Sequence, residues 1–371
     1  MGHLVLAGGG HAHLMTLAGI SAILAQGHRL TVVGPSPHHY YSGMGPGMLG
    51  GTYIPSEIRF ATKAVVERQG GCFIQDRVVR IEADSKTVFL SSGQKIVYDV
   101  LSCNTGSQVA ETLLTRERTD IFSVKPIECL QQARARVLEL AARREITIAI
   151  AGGGPSSAEI AGNLRQLTKQ PGLKRPRLLI FAGHALMGRF PEGVRLRVIG
   201  SLARRGIEII QQRVEAISPG TIVTAEGSTN AEIIFLASGV QPSPLFCDSG
   251  LATSPDGGLL VNRFLQTPVH PEIFGGGDCI SFADEPLDKV GVYAVRQNPI
   301  LHHNLLAALN GQALRPFRSG GKYLLIFNLG EGEGVLHKGW LTVGGRMAFW
   351  IKDLIDRRFM RRFQAMEREN G

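Results

Sequence analysis

The sequence has few cysteines and no closely spaced pair of them. Its five cysteines are Cys72, Cys103, Cys129, Cys247 and Cys279, and no C-x-x-C motif occurs among the 371 residues. An odd number of scattered cysteines argues against a disulfide framework, a zinc site and a dithiol redox centre. We therefore expect a protein of a reducing compartment that binds no metal.

Long hydrophobic runs are also absent. The apolar runs, such as Ile233–Leu236, fall far short of the roughly 20 residues that are needed to cross a bilayer. Nothing near the first residues is typical of a secretory signal. These absences predict a cytoplasmic protein.

Positive charge, by contrast, is in excess. The chain carries 40 Lys and Arg against 31 Asp and Glu, a formal net charge of +9. From Arg315 onward there are eleven Lys and Arg against six Asp and Glu. Such an excess indicates an acidic partner: nucleotide phosphates, nucleic acid or an anionic membrane surface. Because no nucleic-acid-binding motif accompanies it, we do not expect nucleic acid to be the partner.

A glycine turn lies close to the amino terminus. The apolar run His3–Ala7 is followed by Gly8–Gly10 and then by apolar residues at helical spacing from Leu14. A glycine turn that leads into a helix presents free backbone N–H groups to a diphosphate. The motif is an incomplete G-x-G-x-x-G, because His13 replaces the third glycine.

The same pattern occurs a second time. Ile146–Ile160 again contains a strand, the glycines 152–154 and a helix start, with Ser157 in place of the third glycine. Later segments match as well: residues 29–34 correspond to 177–182, and 98–106 to 231–239. Three matched segments in one order predict two dinucleotide-binding units in tandem.

Both units lack the acidic residue that usually ends the second strand and binds the adenosine ribose. The first unit has Gly34-Pro35-Ser36 at that place, and the second has Ala182-Gly183-His184. In the first unit, a ribose contact must then come from Ser36 or from the backbone.

Other segments are less regular. Residues 38–51 mix glycines with aromatic residues and methionines, which predicts a loop that wraps a flat apolar ligand, or else a surface turn cluster. Short strands within 72–100 predict a small antiparallel addition, and 127–142 predicts an amphipathic helix.

Asp278 follows the glycines 275–277, and this position after a glycine run makes it a further candidate for a ligand-binding residue. The sequence predicts that a helix follows and runs to Leu309.

Taken together, these motifs resemble the flavoproteins with two dinucleotide-binding domains, the pyridine nucleotide-disulfide oxidoreductase fold. The resemblance is carried, in family order over about residues 3–312, by Gly8-Gly9-Gly10, Asn104-Thr105-Gly106, Gly152-Gly153-Gly154-Pro155, Ala237-Ser238-Gly239 and Gly275-Gly276-Gly277-Asp278. Residues 289–297 and the tail 350–360 are similar to the type II NADH dehydrogenase branch, and to the flavoprotein domain that some bacteria fuse to selenide, water dikinase.

The resemblance implies an α/β fold with two Rossmann-like domains, the second inserted in the first, and a C-terminal helical tail. The FAD-binding domain, called here the first unit, is expected at residues 1–112 and 244–312. The NAD(P)-binding-like domain, called the second unit, is expected at 113–243, and the tail at 313–371.

The resemblance also implies FAD in the first unit. Its expected contacts are Gly8, Gly10, His11, Ala12, His13, Ser36, Tyr41, Ser42, Val79, Thr105, Gly106, Gly277, Asp278, Gly291 and Val292. The second unit would present NADH or NADPH, and the expected contacts there are Gly152, Gly154, Pro155, Ser156 and Ser157. Electrons would pass from the nicotinamide through the flavin to a quinone.

Two side chains are candidates for catalytic roles. Glu159 would lie beside the nicotinamide, with a buried carboxylate bonded to backbone as the alternative. Lys289 would stabilise reduced flavin, with a solvated loop lysine as the alternative. Cys279 would be either a reactive thiol or a small packing residue.

The tail predicts an amphipathic helix between Arg346 and Phe363, with Met347, Trp350, Ile351, Leu354, Ile355 and Phe359 on one face. Such a helix lies at a membrane interface or packs on the protein or on a second subunit. We therefore expect a cytoplasmic protein, peripheral on the inner face of the membrane, and a homodimer as an alternative use of the tail.

Two rival functions stay open. The first is a flavoprotein of the same fold whose donor is an inorganic sulfur or selenium species. Sulfide:quinone oxidoreductases use a cysteine pair beside the flavin, and the corresponding stretches here are Ser123–Pro126 and Ser156-Ser157, without cysteine. The second rival is a flavin-binding interaction module without turnover.

Overall fold

A computed structural model describes residues 1–110, 112–114, 118–365 and 367. The helices are α1 (Leu14–Ala18), α2 (Ile20–Ala25), α3 (Gly45–Leu49), α4 (Thr62–Arg68), α5 (Glu128–Arg143), α6 (Pro155–Leu167), α7 (Glu192–Arg204), α8 (Leu245–Asp248), α9 (Gly291–Asn310) and α10 (Arg346–Ala365). A 3₁₀ turn, His11–His13, leads into α1.

The strands follow in chain order. They are β1 (His3–Ala7), β2 (Arg29–Gly34), β3 (His39–Tyr40), β4 (Arg59–Phe60), β5 (Cys72–Gln75), β6 (Val78–Glu82), β7 (Thr87–Leu90), β8 (Lys95–Val97), β9 (Val100–Cys103), β10 (Gln108–Val109), β11 (Ile121–Ser123), β12 (Thr147–Ala151), β13 (Arg177–Phe181), β14 (Ile207–Ile210), β15 (Val214–Ser218), β16 (Thr221–Thr224), β17 (Gly227–Asn230), β18 (Ile233–Leu236), β19 (Val240–Gln241), β20 (Leu259–Val261), β21 (Ile273–Gly275), β22 (Ile280–Phe282), β23 (Leu325–Asn328), β24 (Gly334–Lys338) and β25 (Leu341–Gly345).

The first sheet contains five parallel strands in the order β21-β9-β1-β2-β5. Strand β1 is buried along its whole length, as is usual for the central strand of a parallel sheet that is covered on both faces. Strand β21 comes from beyond the second sheet in the sequence, so the chain returns to complete the first sheet. This topology confirms the expected insertion of one Rossmann-like unit in the other.

The second sheet repeats this architecture. Its five parallel strands have the order β11-β18-β12-β13-β14. The central strand β12 pairs with β13 through Ile148 and Leu178, and with β18 through Ile148 and Ile233. The duplicated α/β fold is therefore confirmed.

The prediction for the strand at residues 73–74 was wrong. We expected it in the antiparallel addition, but β5 pairs in parallel with β2, with Phe73 opposite Val32. A parallel pair needs a crossover connection, and helix α4 lies in the segment that joins these strands. The antiparallel addition consists of β6, β7 and β8.

The prediction of an irregular loop at residues 38–51 was also wrong, because the segment contains the short helix α3. Its glycines permit close packing on the second unit. A Cβ at Gly45 would lie 2.8 Å from Cδ1 of Ile127, and one at Gly50 would lie 2.5 Å from Oδ1 of Asn163. Glycine in this segment thus serves helix contact, which composition alone cannot distinguish from a ligand-binding loop.

The C-terminal region joins both units. Strands β23, β24 and β25 form an antiparallel sheet that α10 follows. A Cβ at Gly162 of α6 would lie 2.0 Å from the backbone oxygen of Leu329, so this region contacts the second unit backbone to backbone. No helix in the described part of the chain is long and apolar enough to span a bilayer.

Candidate active-site crevice

The first glycine turn follows β1 at the carboxyl edge of the first sheet. Gly8 has a φ of +95°, and a Cβ there would lie 2.2 Å from the backbone oxygen of Asn104. Only glycine tolerates both conditions. A Cβ at Gly10 would lie 2.7 Å from Nδ2 of the same asparagine. The turn therefore packs directly on the chain that leaves β9.

His13 stands where the third glycine is expected, and its buried ring has a structural role. Its Nδ1 lies 2.6 Å from the Gly8 carbonyl oxygen, and its Nε2 lies 2.8 Å from the Ser102 hydroxyl. Burial lowers the pKa of His13 to about 4, so the ring is neutral. It donates to the carbonyl and accepts from the hydroxyl, which fixes the turn to β9.

Buried polar atoms without partners surround this turn. His11 Nε2, Asn104 Nδ2 and Thr62 Oγ1 have no hydrogen-bond partner among the described residues. Leaving such a group unpaired costs roughly 1–3 kcal/mol. Phosphate oxygens at the turn would accept from the Asn104 amide and from backbone N–H groups. The turn therefore fits the diphosphate of a dinucleotide.

His11 also connects the turn with the C-terminal helix. Its Nδ1 lies 3.1 Å from Nε2 of His39, and its ring stacks on Phe359 with centroids 5.6 Å apart. The Tyr41 ring centroid lies 5.3 Å from that of His11. Burial lowers the pKa of both histidines, that of His39 to about 4. Helix α10 thus packs on the first glycine turn through the stacked rings of Phe359 and neutral His11.

The predicted adenosine contacts lie at the rim of the first unit. Ser36 Oγ accepts a hydrogen bond of 3.2 Å from the His38 N–H within its own loop. Val79 lies on β6 and is 49% exposed. Their contact with a cofactor stays a prediction.

Asp278 lies just beyond β21 and pairs with a residue from the second unit. Lys125 Nζ is 2.8 Å from Asp278 Oδ2, and the Ser107 hydroxyl donates to the same oxygen over 2.9 Å. Lys125 follows β11, so this ion pair joins the carboxyl edges of the two sheets. We call the region between these two edges, at the Lys125–Asp278 pair, the crevice. Thr105 and Gly106 lie between β9 and Ser107, at the same edge.

Lys289, the cation predicted to stabilise reduced flavin, is already paired. Its Nζ lies 2.9 Å from Asp256 and also donates to the Ile280 carbonyl. Helix α9 begins nearby at Gly291, and Val292 is its second residue.

Lys125 is not among the site residues predicted from the sequence, because no local motif marks it.

The second glycine turn has the same construction as the first. Gly152 has a φ of +146°, and a Cβ there would lie 2.1 Å from the backbone oxygen of Ala237. A Cβ at Gly154 would meet no described atom within 4 Å. Pro155 and Ser156 open α6, and Ser157 Oγ is buried without a hydrogen-bond partner in the described chain. The backbone before α6 is thus open to a ligand.

Glu159, on the first turn of α6, is partly buried against the C-terminal region. Its Oε1 accepts a hydrogen bond of 2.8 Å from the Asn328 N–H. Burial raises the pKa of this carboxyl group to about 7, although the nearby Lys352 opposes the rise. The alternative prediction, a carboxylate bonded to backbone, is thus met at Oε1, and a role beside the nicotinamide stays a prediction.

A buried charge network lies beside Glu159. Lys352 Nζ is 2.7 Å from Asp356 and 2.9 Å from the Gly43 carbonyl oxygen. The Tyr41 hydroxyl donates to Asp356 over 3.0 Å. Burial raises the pKa of Asp356 against the attraction of Lys352. Lys352 therefore points into the protein, although it lies on the helix for which the sequence predicts an exposed polar face.

Comparison with known proteins decides the family. The sequence pattern of the pyridine nucleotide-disulphide oxidoreductases matches residues 2–304. The chain belongs to this family.

Relatives refine this assignment within the pyridine nucleotide-disulphide oxidoreductases. The type II NADH:quinone oxidoreductase of Staphylococcus aureus is 23% identical over 96% of this chain and 94% of its own length. The large subunit of the NADH nitrite reductase of Escherichia coli is 28% identical over 62% of this chain. The matched region covers only 27% of the length of that subunit. NDH2 from Plasmodium falciparum in complex with NADH has the same fold, with a TM-score of 0.81, 12% identity and coverage of 100% of this chain and 99% of that one. The expected type II NADH dehydrogenase-like branch is confirmed.

Membership of this family implies a flavin- and NAD(P)H-dependent oxidoreductase. The disulphide chemistry in the family name needs two cysteines a few residues apart, and the sequence contains no such pair among its five cysteines. Burial raises the pKa of Cys103 and of Cys279, which disfavours a reactive thiolate at either.

Proposed function

We propose that this chain is an FAD-dependent oxidoreductase that transfers electrons from NADH or NADPH to a quinone-type acceptor. One arrangement carries the proposal: two parallel sheets, each with a glycine turn at its carboxyl edge, meet at the Lys125–Asp278 pair. Ligands of α/β proteins bind outside the carboxyl ends of the strands. The likeness to the Staphylococcus aureus enzyme over nearly its whole length supports the choice of donor and acceptor.

The first unit is proposed to hold FAD. Gly8, Gly10 and the unpaired amide of Asn104 suit its diphosphate. The Asp278 carboxylate is a natural acceptor for a ribityl hydroxyl. When bound, FAD supplies the capacity to accept two electrons from one substrate and deliver them to another. The remaining proposed contacts are His11, Ala12, His13, Ser36, Tyr41, Ser42, Val79, Thr105, Gly106, Gly277, Gly291 and Val292.

The second unit is proposed to bind the nicotinamide nucleotide. The open backbone at Gly154 and the amino-terminal N–H groups of α6 suit a diphosphate. Gly152, Pro155, Ser156 and Ser157 complete the proposed contacts. With Ala182 in place of the usual acid, His184 and Arg189 are the basic residues that would favour NADPH.

Glu159 is proposed to lie beside the nicotinamide ring. Its pKa of about 7 allows the carboxyl group to hold or release a proton close to neutral pH. The Asn328 N–H fixes Oε1 and thereby orients the group.

We further propose that α10 brings the chain to the membrane in which a quinone dissolves. Met347, Trp350 and Leu354 are 58%, 68% and 70% exposed. Arg358 and Arg361 are exposed on the same helix. Exposed apolar and basic side chains in this combination suit the headgroup boundary of an anionic bilayer.

Anaerobic mixing tests the proposed reaction. The purified protein should show the visible absorbance of FAD, which NADH or NADPH should bleach within the mixing time and a soluble quinone should restore. Colourless protein that takes up no added FAD would end the proposal.

The same experiment separates the rivals. Bleaching by sulfide or selenide, with none by either nicotinamide nucleotide, would assign the inorganic donor. FAD that stays oxidised with all four reagents would assign a binding module without turnover.

A further inference from the structure

Lys125 is a cation in the crevice to which no sequence motif assigns a role. Its Nζ lies 2.8 Å from Asp278 Oδ2 and 2.9 Å from Ser107 Oγ. The side chain of Lys125 is 24% exposed and that of Asp278 is 13% exposed. Three separate segments, which follow β9, β11 and β21, therefore meet at this ammonium group.

The field of Lys125 reaches the first glycine turn. Burial is the main cause that lowers the pKa of His11 and of His39, and the positive charge of Lys125 lowers both further. The ammonium group thus lies within electrostatic range of the turn that suits a diphosphate, while it touches the carboxylate that suits a ribityl hydroxyl. A cofactor that spans these two points passes close to Lys125.

Two other lysines near the crevice are engaged differently. Lys289 forms an ion pair with Asp256, whose side chain is 46% exposed and in contact with solvent. Lys352 forms a buried pair with Asp356, where both side chains are at most 10% exposed. Lys125 differs from both, because its carboxylate partner is itself a proposed cofactor ligand.

We propose that Lys125, and not Lys289, is the cation that stabilises the negative charge which bound FAD gains on reduction. This inference rests on the proposed function, since it requires FAD in the crevice. Its effect is electrostatic: the ammonium group favours reduced over oxidised FAD. By linkage, the same preference appears as a higher affinity for reduced than for oxidised FAD.

The test measures the equilibrium between the holoenzyme and a reference redox dye for the wild type, Lys125→Gln, Lys125→Arg and Lys289→Gln. A unit charge within several ångströms in a medium of effective dielectric about 20 contributes more than a tenfold change in such an equilibrium. Lys125→Gln should therefore disfavour reduction about tenfold or more, and Lys125→Arg less than about threefold. Lys95→Gln, at an exposed lysine of β8 in the antiparallel addition, controls for loss of a surface charge.

Two further measurements cover weak binding and poor folding. Where Lys125→Gln loses FAD, its affinities for oxidised and for dithionite-reduced FAD are measured separately, and the loss should be about tenfold greater for the reduced form. If the Lys125→Gln variant does not fold, the dye equilibrium is measured for Asp278→Asn instead. Removing the countercharge should favour reduction, by a shift in the opposite direction.

The possible results distinguish the role of Lys125 from the proposed function of the whole chain. Equal losses of affinity for both forms of FAD, or an unchanged dye equilibrium in Lys125→Gln, would overturn the role of Lys125 and leave the proposed function standing. A shift in Lys289→Gln alone would return the role to Lys289. A wild-type protein that takes up no FAD would overturn both proposals.

Discussion

The hydroxyl of Tyr41 donates a hydrogen bond of 3.0 Å to the carboxylate of Asp356, across 315 positions of sequence. The other oxygen of that carboxylate lies 2.7 Å from Lys352, which also binds the Gly43 carbonyl. The C-terminal helix is thereby fixed to residues 41–43, and the Tyr41 ring in turn contacts His11 of the first glycine turn. A buried ion pair outside both glycine motifs thus helps to hold this segment in place.

Breaking this pair should be costly. Lys352→Met leaves the carboxylate of Asp356 buried without its countercharge, and we expect a loss of roughly 3–5 kcal/mol in the free energy of unfolding. The double variant Lys352→Met/Asp356→Leu should recover part of that loss, because it removes the carboxylate that Lys352→Met leaves unpaired. Urea unfolding at neutral pH measures both, with Arg358→Met as an exposed control on the same helix. Additive losses in the double variant would contradict a buried, coupled pair.

Glu159 should make stability depend on pH. Burial raises its pKa from 4.5 to about 7, so between these values the folded chain keeps a proton that the unfolded chain releases. The free energy of unfolding should therefore fall as pH rises through this window, by roughly 3 kcal/mol in total. Glu159→Gln should remove that slope. Urea unfolding between pH 5 and 8 provides the comparison, and parallel curves for both proteins would show that Glu159 titrates normally.

The repeated architecture could be predicted because local residues encode it. Gly8 and Gly152 each tolerate a close approach of a carbonyl oxygen, from Asn104 and Ala237 respectively, at a positive φ. Such positions require glycine, so the requirement is visible in the sequence. Apolar runs of strand length before each turn complete the pattern.

The charges around the crevice could not be predicted in this way. Lys125 and Asp278 are 153 positions apart, and Lys352 and Gly43 are 309 apart. Their meeting depends on how the inserted unit and the C-terminal helix pack, which no periodicity encodes. Lys289 opens a recognisable motif, but its ion pair with the half-exposed Asp256 could likewise not be predicted from that motif.

The exposed face of α10 should determine membrane binding. Trp350→Ser/Leu354→Ser removes two side chains that are 68% and 70% exposed, so the fold should keep its stability. Burying such side chains contributes roughly 2–3 kcal/mol each, so partitioning onto anionic vesicles should fall by at least about tenfold. Leu196→Ser, at a side chain 57% exposed on α7, is the matched control. Co-sedimentation with vesicles measures the loss, and equal binding by both variants would exclude α10 as the contact.

Gly154 should distinguish a nucleotide site from a purely structural turn. A Cβ there meets no described atom within 4 Å, and alanine is a poorer N-cap than glycine, so Gly154→Ala should lower the free energy of unfolding by less than about 1 kcal/mol. The same methyl group would occupy the space through which a diphosphate approaches the backbone. We therefore expect a loss of about tenfold or more in affinity for NADH or NADPH, which corresponds to at least about 1.4 kcal/mol.

Gly8→Ala provides the contrast. Its Cβ would lie 2.2 Å from the Asn104 oxygen at a φ of +95°, so this variant should lose several kcal/mol of stability, beyond the roughly 1–3 kcal/mol of backbone strain alone. Urea unfolding and nucleotide titration of both variants complete the test. If Gly154→Ala binds both nucleotides as tightly as the wild type, the second unit does not use its glycine turn for the donor. A stable Gly8→Ala would in turn contradict the close contact between the first turn and β9.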